Sequence, residues 1–209
     1  MAEKGIEIFN QNAIVSQGGI EIHFQNKPSY SENIGFVYLL IDASGSMGDG
    51  QKLGQAKRGA LKFAREATSK GYYVGLIKFD SDVTHLCNPQ KDLSILDRAL
   101  ATMIPSGTTD MTNAIRLATQ KLSEKSPAKV ICIITDGFPD DPLTTLDAAK
   151  NAKKNKIDII TVGTDDADQD FLKKIATRAE LGIKVPRDRL EEAIASTAKM
   201  LPAGNRKYQ

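Results

Sequence analysis

Long apolar runs recur along the chain at strand length. Phe36-Val37-Tyr38-Leu39-Leu40-Ile41 and Val130-Ile131-Cys132-Ile133-Ile134 are β-branched and aromatic enough for strands covered on both faces. Ile157 to Val162 is a third parallel candidate, Tyr72 to Phe79 another strand, and Ile183-Lys184-Val185 a short last one. Between these runs the apolar period changes to that of a helix. Leu53, Ala56, Ala60, Phe63, Ala64 and Ala67 mark the first helix, closed by Lys70-Gly71. Further helices are predicted around Leu93 to Met103, Met111 to Leu122, Leu143 to Ala152, Phe171 to Ala179 and Leu190 to Leu201. Asp141-Pro142 supplies an N-cap and first-turn pair for the fourth.

Strands alternating with helices, joined by right-handed crossovers, predict an α/β fold: a Rossmann-like, doubly wound, mostly parallel sheet with helices on both faces. Only Asp80-Ser81-Asp82 separates the Tyr72 strand from Val83 to Cys87, too little for a crossover helix. That pair is therefore expected to be antiparallel, with the second member a short edge strand. Before the domain, Ile6 and Ile8, then Ile20, Ile22 and Phe24 beyond Gly18-Gly19, alternate with polar residues as the arms of a β-hairpin would. The expected organisation is a hairpin extension and linker over residues 1–33, one α/β domain over 34–201 and a polar tail over 202–209.

Composition narrows the function classes. A length of 209 residues suits one domain with a sizeable core. The formal net charge of +2, with acids and bases interspersed, argues against nucleic acid. No apolar run approaches membrane-spanning length, and Met1-Ala2-Glu3-Lys4 leads into no secretory segment, so a soluble, cytoplasmic protein is expected. Cys87 and Cys132 are too few for a disulfide framework, and His23 and His85 too scattered for a zinc site.

The candidate chemistry sits where strands end. Asp42, Ser44 and Ser46 follow the first strand at alternate positions, and Ala43 and Gly45 between them let the backbone curl. Hard oxygens converging on a point suit Mg²⁺ or Ca²⁺ rather than zinc. The same residues also suit a hydrogen-bonded turn or helix cap. Two further stretches favour the metal: the hydroxyl cluster Ser106-Gly107-Thr108-Thr109-Asp110, and Asp136 at the end of the second apolar strand. Neighbouring parallel strands bring their last residues to one sheet edge, where Asp42 and Asp136 would face each other. Two carboxylates would balance a divalent cation. Asp49, Asp110, Asp140 and Asp141 lie in loops at the same edge and are read as caps and solvated turn residues.

Asp42-x-Ser44-x-Ser46, Thr109 and Thr135-Asp136-Gly137 together resemble the metal-ion-dependent adhesion site of von Willebrand factor A domains, including stand-alone prokaryotic members. The family's Gly-Thr-x-x-x-x-Ala-Leu pattern implies that Thr109 is the ligand, because Ala114 lies five residues after it; Thr108 stands where a second glycine is usual. The resemblance implies a metal set of Asp42, Ser44, Ser46, Thr109 and Asp136, the last two direct or through water. It implies Mg²⁺, or Mn²⁺ or Ca²⁺, with an open position for a partner's Asp or Glu. Members that work with AAA-type ATPases, or in stress and assembly complexes, suggest the kind of partner. The alternative weighed is a metal-assisted phosphohydrolase on the same acidic edge. Against it, no nucleophile and base pair stands beside the ligands, and Ser44 occupies the position where a phosphoaspartate hydrolase needs a second Asp. A Rossmann nucleotide site is disfavoured too, since Gly48-x-Gly50-x-x-x-Gly54 is one residue too long for the fingerprint.

Overall fold

The computed structural model describes residues 34–125 and 128–202, so the expected hairpin within 1–33, and the tail beyond Pro202, lie outside the described residues. Six strands form one sheet: β1 (Gly35–Asp42), β2 (Tyr72–Phe79), β3 (Val83–Gln90), β4 (Ala128–Thr135), β5 (Asp158–Gly163) and β6 (Gly182–Lys184). Their order is β3-β2-β1-β4-β5-β6, parallel throughout except for the β2–β3 pair. The helices are α1 (Lys52–Ser69), α2 (Leu93–Ala101), α3 (Met111–Leu122), α4 (Pro142–Lys154), α5 (Gln169–Ile175) and α6 (Leu190–Thr197). No helix among the described residues is long and apolar enough to cross a membrane.

The period of the strands divides the core in two. Val37, Leu39 and Ile41 of β1 point to one face and pack with Ala56, Ala60 and Phe63 of α1, Leu96 of α2 and Ile194 of α6. Tyr38 and Leu40 point to the other, with Met111 and Ile115 of α3, Ala148 of α4 and Phe171 of α5. With helices over both faces, a central strand has no solvated side, and that is why β1 and β4 read as unbroken apolar runs rather than alternating ones.

β3 is longer than expected, eight residues rather than five, and continues through Asn88-Pro89-Gln90. Its register against β2 shifts between Val74 and Leu76 and again between Leu76 and Ile77. An edge strand tolerates a proline and such irregularity because one side of its backbone has no ladder to keep. α5 stops at Ile175, short of the expected Ala179, because Ala176 turns to extended backbone.

α1 and α6 touch closely at Gly59. A Cβ there would lie 2.9 Å from both the Glu191 carbonyl oxygen and Ile194 Cβ, so mid-helix glycine is retained despite its unfavourable helix propensity. Gly59→Val is expected to cost roughly 2 kcal/mol by overpacking, read as a fall in melting temperature of about 4–8 °C for a domain of this size. An unchanged melting temperature would show that α6 yields freely.

Candidate metal centre

β1 and β4 are neighbours in the middle of the sheet, and the chain winds outward from them in opposite directions. The crevice beyond their carboxyl ends is the topological switch point, where open α/β sheets hold ligands. Asp42 is the last residue of β1, and Asp136 follows Thr135, the last of β4. The stretch beyond Asp42 curls at once into a 3-10 segment, Gly45–Gln51, which leads into α1.

Four of the expected ligands form one hydrogen-bonded chain. The Ser44 backbone N–H donates to Asp42 Oδ1 at 2.8 Å. The hydroxyls of Ser44 and Ser46 lie 3.2 Å apart, and Ser46 Oγ donates to Asp136 Oδ1 at 2.9 Å. Thr135 Oγ1 closes the group by donating to Asp42 Oδ2 at 2.6 Å, and accepts from the Gly137 N–H at 3.2 Å. The turn reading and the metal reading of Asp42 therefore coexist: Oδ1 makes an Asx turn, yet each carboxylate oxygen keeps a second lone pair. Ser46 is exposed whereas Asp42, Ser44 and Asp136 are buried, so the group opens to solvent on the Ser46 side.

Thr109 is brought to the same edge by backbone contacts. Ser106 N–H donates to the Ala43 carbonyl at 2.7 Å, and Gly45 N–H to the Gly107 carbonyl at 3.1 Å, tying the two loops together. The Thr109 side chain is almost buried, and its hydroxyl makes no hydrogen bond among the described residues.

Two turns pin that loop, and neither role was expected. Asp80, buried at the end of β2, accepts from Ser106 Oγ at 2.7 Å and from Lys78 Nζ at 2.5 Å, while its backbone carbonyl accepts from Asp110 N–H at 2.8 Å. Ser81 Oγ accepts from Thr108 N–H at 2.9 Å, and sits where a Cβ on Gly107, at φ +65°, would collide with it. On the other side Asp140 accepts from Thr109 N–H at 3.0 and 3.1 Å and from Thr108 Oγ1 at 2.6 Å. Asp110 and Asp141 are the helix caps they were expected to be, on Asn113 N–H and Thr144 N–H. Asp140 is a latch instead.

The largest departure from the sequence reading is Lys52. It opens α1, is only 4% exposed, and places Nζ 2.5 Å from Asp136 Oδ2 and 3.0 Å from Asp165 Oδ2. Lys52 thus covers Asp136 Oδ2 as a buried ion pair, while Ser46 serves Oδ1. Arg187 holds Asp165 in turn, Nε at 2.8 Å and Nη2 at 2.6 Å. The two carboxylates were expected to balance a divalent cation between them; Lys52 already offsets one. A signal existed: a lysine on the inward face of a predicted helix, in the first turn, where acids are preferred.

Asp42 has no such partner. Its side chain is fully buried and no cation lies within ion-pair distance among the described residues. Its carboxyl is pushed up to about 6, because burial, helped by the nearby Asp136, outweighs the hydrogen bonds from Thr135 and Ser44 that pull it down. A buried carboxylate beside three hydroxyls and a second carboxylate fits a hard divalent ion, since the set is all oxygen and short of positive charge. Among the described residues no three His, Cys, Asp or Glu cluster tightly enough to hold a metal, so a site here draws on hydroxyls.

The family model of the von Willebrand factor type A domain matches residues 37–192. The chain belongs to that family. Among solved structures, this A domain is similar to the vWF domain of the type V pili tip protein Mfa5 from Porphyromonas gingivalis, at 16% identity and a TM-score of 0.74, covering 84% of this chain and 97% of that one. It is similar also to the pilus adhesin SpaC from Lactobacillus rhamnosus GG, at 17% identity and a TM-score of 0.71, over 79% of this chain and 30% of that one. The conserved hypothetical protein BatB from Bacteroides thetaiotaomicron matches at 22% identity and a TM-score of 0.63, over 79% and 99%. In sequence, the human calcium-activated chloride channel regulator 4 is 27% identical over 124 residues, 56% of this chain and 13% of that protein. The A domain thus spans a small part of that relative's length. A domains commonly serve in protein interaction and adhesion.

In metal-free protein, with EDTA at neutral pH, Asp42→Asn is expected to raise the melting temperature, because it removes a buried carboxylate that no cation offsets. The gain is bounded at roughly 3 kcal/mol by the displacement of that carboxyl from its ordinary range. A lower melting temperature than wild type under the same conditions would contradict this electrostatic account.

Proposed function

We propose that this A domain is a metal-dependent protein-interaction module, not an enzyme, that binds an acidic side chain of a partner protein. The observation that carries the reading is the fully buried, uncompensated Asp42 carboxylate, joined through Thr135, Ser44 and Ser46 to Asp136. In the proposed site Asp42, Ser44 and Ser46 hold Mg²⁺, or Mn²⁺ or Ca²⁺, with Thr109 and Asp136 binding directly or through water. When bound, the cation supplies a Lewis-acidic position that a partner's Asp or Glu can occupy. The chain's own part is to hold the donors in place and to leave the Ser46 side open.

The surface around the group supports docking. Ile104, in the loop before Ser106, is 69% exposed; Phe138, just beyond Asp136, is 46% exposed; and Leu143, in the first turn of α4, is 76% exposed. Large apolar side chains left in water beside a polar centre are what a protein-binding rim contains. No nucleophile and base pair was identified beside the ligands from sequence. The candidate thiols, Cys87 and Cys132, are buried within the sheet, and His85 shares a hydrogen bond with Tyr38. The proposed setting is a cytoplasmic complex, and family analogy makes AAA-type ATPases and stress or assembly complexes the first partner classes to test.

A pulldown from lysate with wild type and Asp42→Ala, each in Mg²⁺ and in EDTA, tests the reading. The expected outcome is a partner retained only by wild type in Mg²⁺. A partner held equally by both proteins in both buffers would overturn it.

A further inference from the structure

We infer that Lys52 sets the ligand preference of the centre: it keeps the metal-loaded site one unit positive, and so selects a carboxylate over a neutral donor. This rests on the metal reading proposed above and adds a residue to which that reading gave no role.

The starting point is the energetic cost of Lys52. Its ammonium is buried, which is expensive for a charge, and it stands in the first turn of α1, where the helix dipole repels cations. Gln51, the residue before it, gives no side-chain cap, and no acid stands in that turn. The placement goes against local preference, and among the described residues the carboxylates of Asp136 and Asp165, at 2.5 and 3.0 Å, offset it. Such a violation of local rules is characteristic of sites where function, not folding, fixes the residue.

The charges give the consequence. Asp42 and Asp136 contribute two negative charges, Lys52 one positive, and Asp165 and Arg187 cancel each other across 2.6 Å. The empty group is therefore one unit negative, and with a divalent ion one unit positive. An incoming carboxylate brings it to neutrality, whereas an amide, hydroxyl or water does not. Without Lys52 the loaded centre would already be neutral, and a carboxylate would gain little over water. Asp49, Asp140 and Asp141 at the same edge are exposed, so water and salt screen them. Lys52 thus opposes metal loading and favours the acidic ligand, two effects of opposite sign from one charge.

Mn²⁺ binding to the full chain, followed by electron paramagnetic resonance, gives the metal half-saturation. Water-proton relaxation of the Mn²⁺-loaded protein then reports displacement of metal-bound water by acetyl-Gly-Glu-Gly-amide, with the glutamine peptide as neutral control. For Lys52→Met the expected result is Mn²⁺ half-saturation at roughly tenfold lower concentration, with the glutamate peptide bound roughly tenfold more weakly. Lys52→Arg, which keeps the charge, stays closer to wild type in both. Asp165→Asn, at a partly exposed position, shifts charge the other way, and weaker Mn²⁺ with tighter peptide is expected; it serves if Lys52→Met does not fold. The inference is overturned if Lys52→Met, or Asp165→Asn in its place, moves both affinities in one direction or leaves the peptide affinity of the loaded protein unchanged. Wild type that binds Mn²⁺ but shows no preference for the glutamate peptide overturns the inference and leaves the metal reading standing. No Mn²⁺ bound by wild type overturns both.

Discussion

The hydrogen bond from Thr135 to Asp42 is the contact on which the edge of the sheet depends. It joins the last residues of the two central strands and fixes a carboxylate where no water reaches it. Register makes it possible: β1 and β4 run parallel with Ile41 opposite Ile134, so the next residue on each strand arrives at the same height. The fold thereby delivers a buried acid to the switch point. Everything beyond Asp42, from the Asx turn to the 3-10 segment, arranges polar groups around that one anion.

Charge is handled unequally across the group. Asp136 is served by Ser46 on one oxygen and by Lys52 on the other, while Asp42 receives only neutral donors. A buried carboxylate with hydrogen bonds but no counter-charge is a poor solution for a protein that has only to fold. Placing the deficit at the open end of the crevice, beneath an exposed serine, is sensible if a cation from outside is to make it good. The coupling of Asp136 to Lys52, Asp165 and Arg187 also links the β1 and β4 ends electrostatically to the loops after β5 and before α6.

Most of the fold was legible because both faces of the sheet are covered. Continuous apolar runs at β1, β4 and β5, and helical periods between them, can hardly be read otherwise. The far half of β3 was not legible: Asn88, Pro89 and Gln90 carry no strand pattern, and their pairing with β2 rests on backbone geometry across a bulge. For the candidate site, the meeting of Asp42, Ser44, Ser46 and Asp136 at one edge could be anticipated because each lies within a few residues of a strand end. The choice of Thr109 over Thr108 rested on the family's spacing alone. Lys52, Asp80, Asp140 and Asp165 escaped because the contacts that matter, to Asp136, Ser106, Thr109 and Arg187, are remote in sequence, and a lone acid or lysine in a loop or helix start looks like any solvated charge. Lys52 alone left a local trace, a cation on the buried face of α1.

The turn between β2 and β3 has a further consequence. By gripping Ser106, Thr108 and Asp110, it holds the Thr109 loop at both ends and in the middle. Asp140 adds a second hold from the opposite side. The conformational entropy of that loop is therefore lost when the sheet forms, not when a visitor arrives. Association with a rigid partner should then be governed by encounter and desolvation, with little rearrangement on this side of the contact.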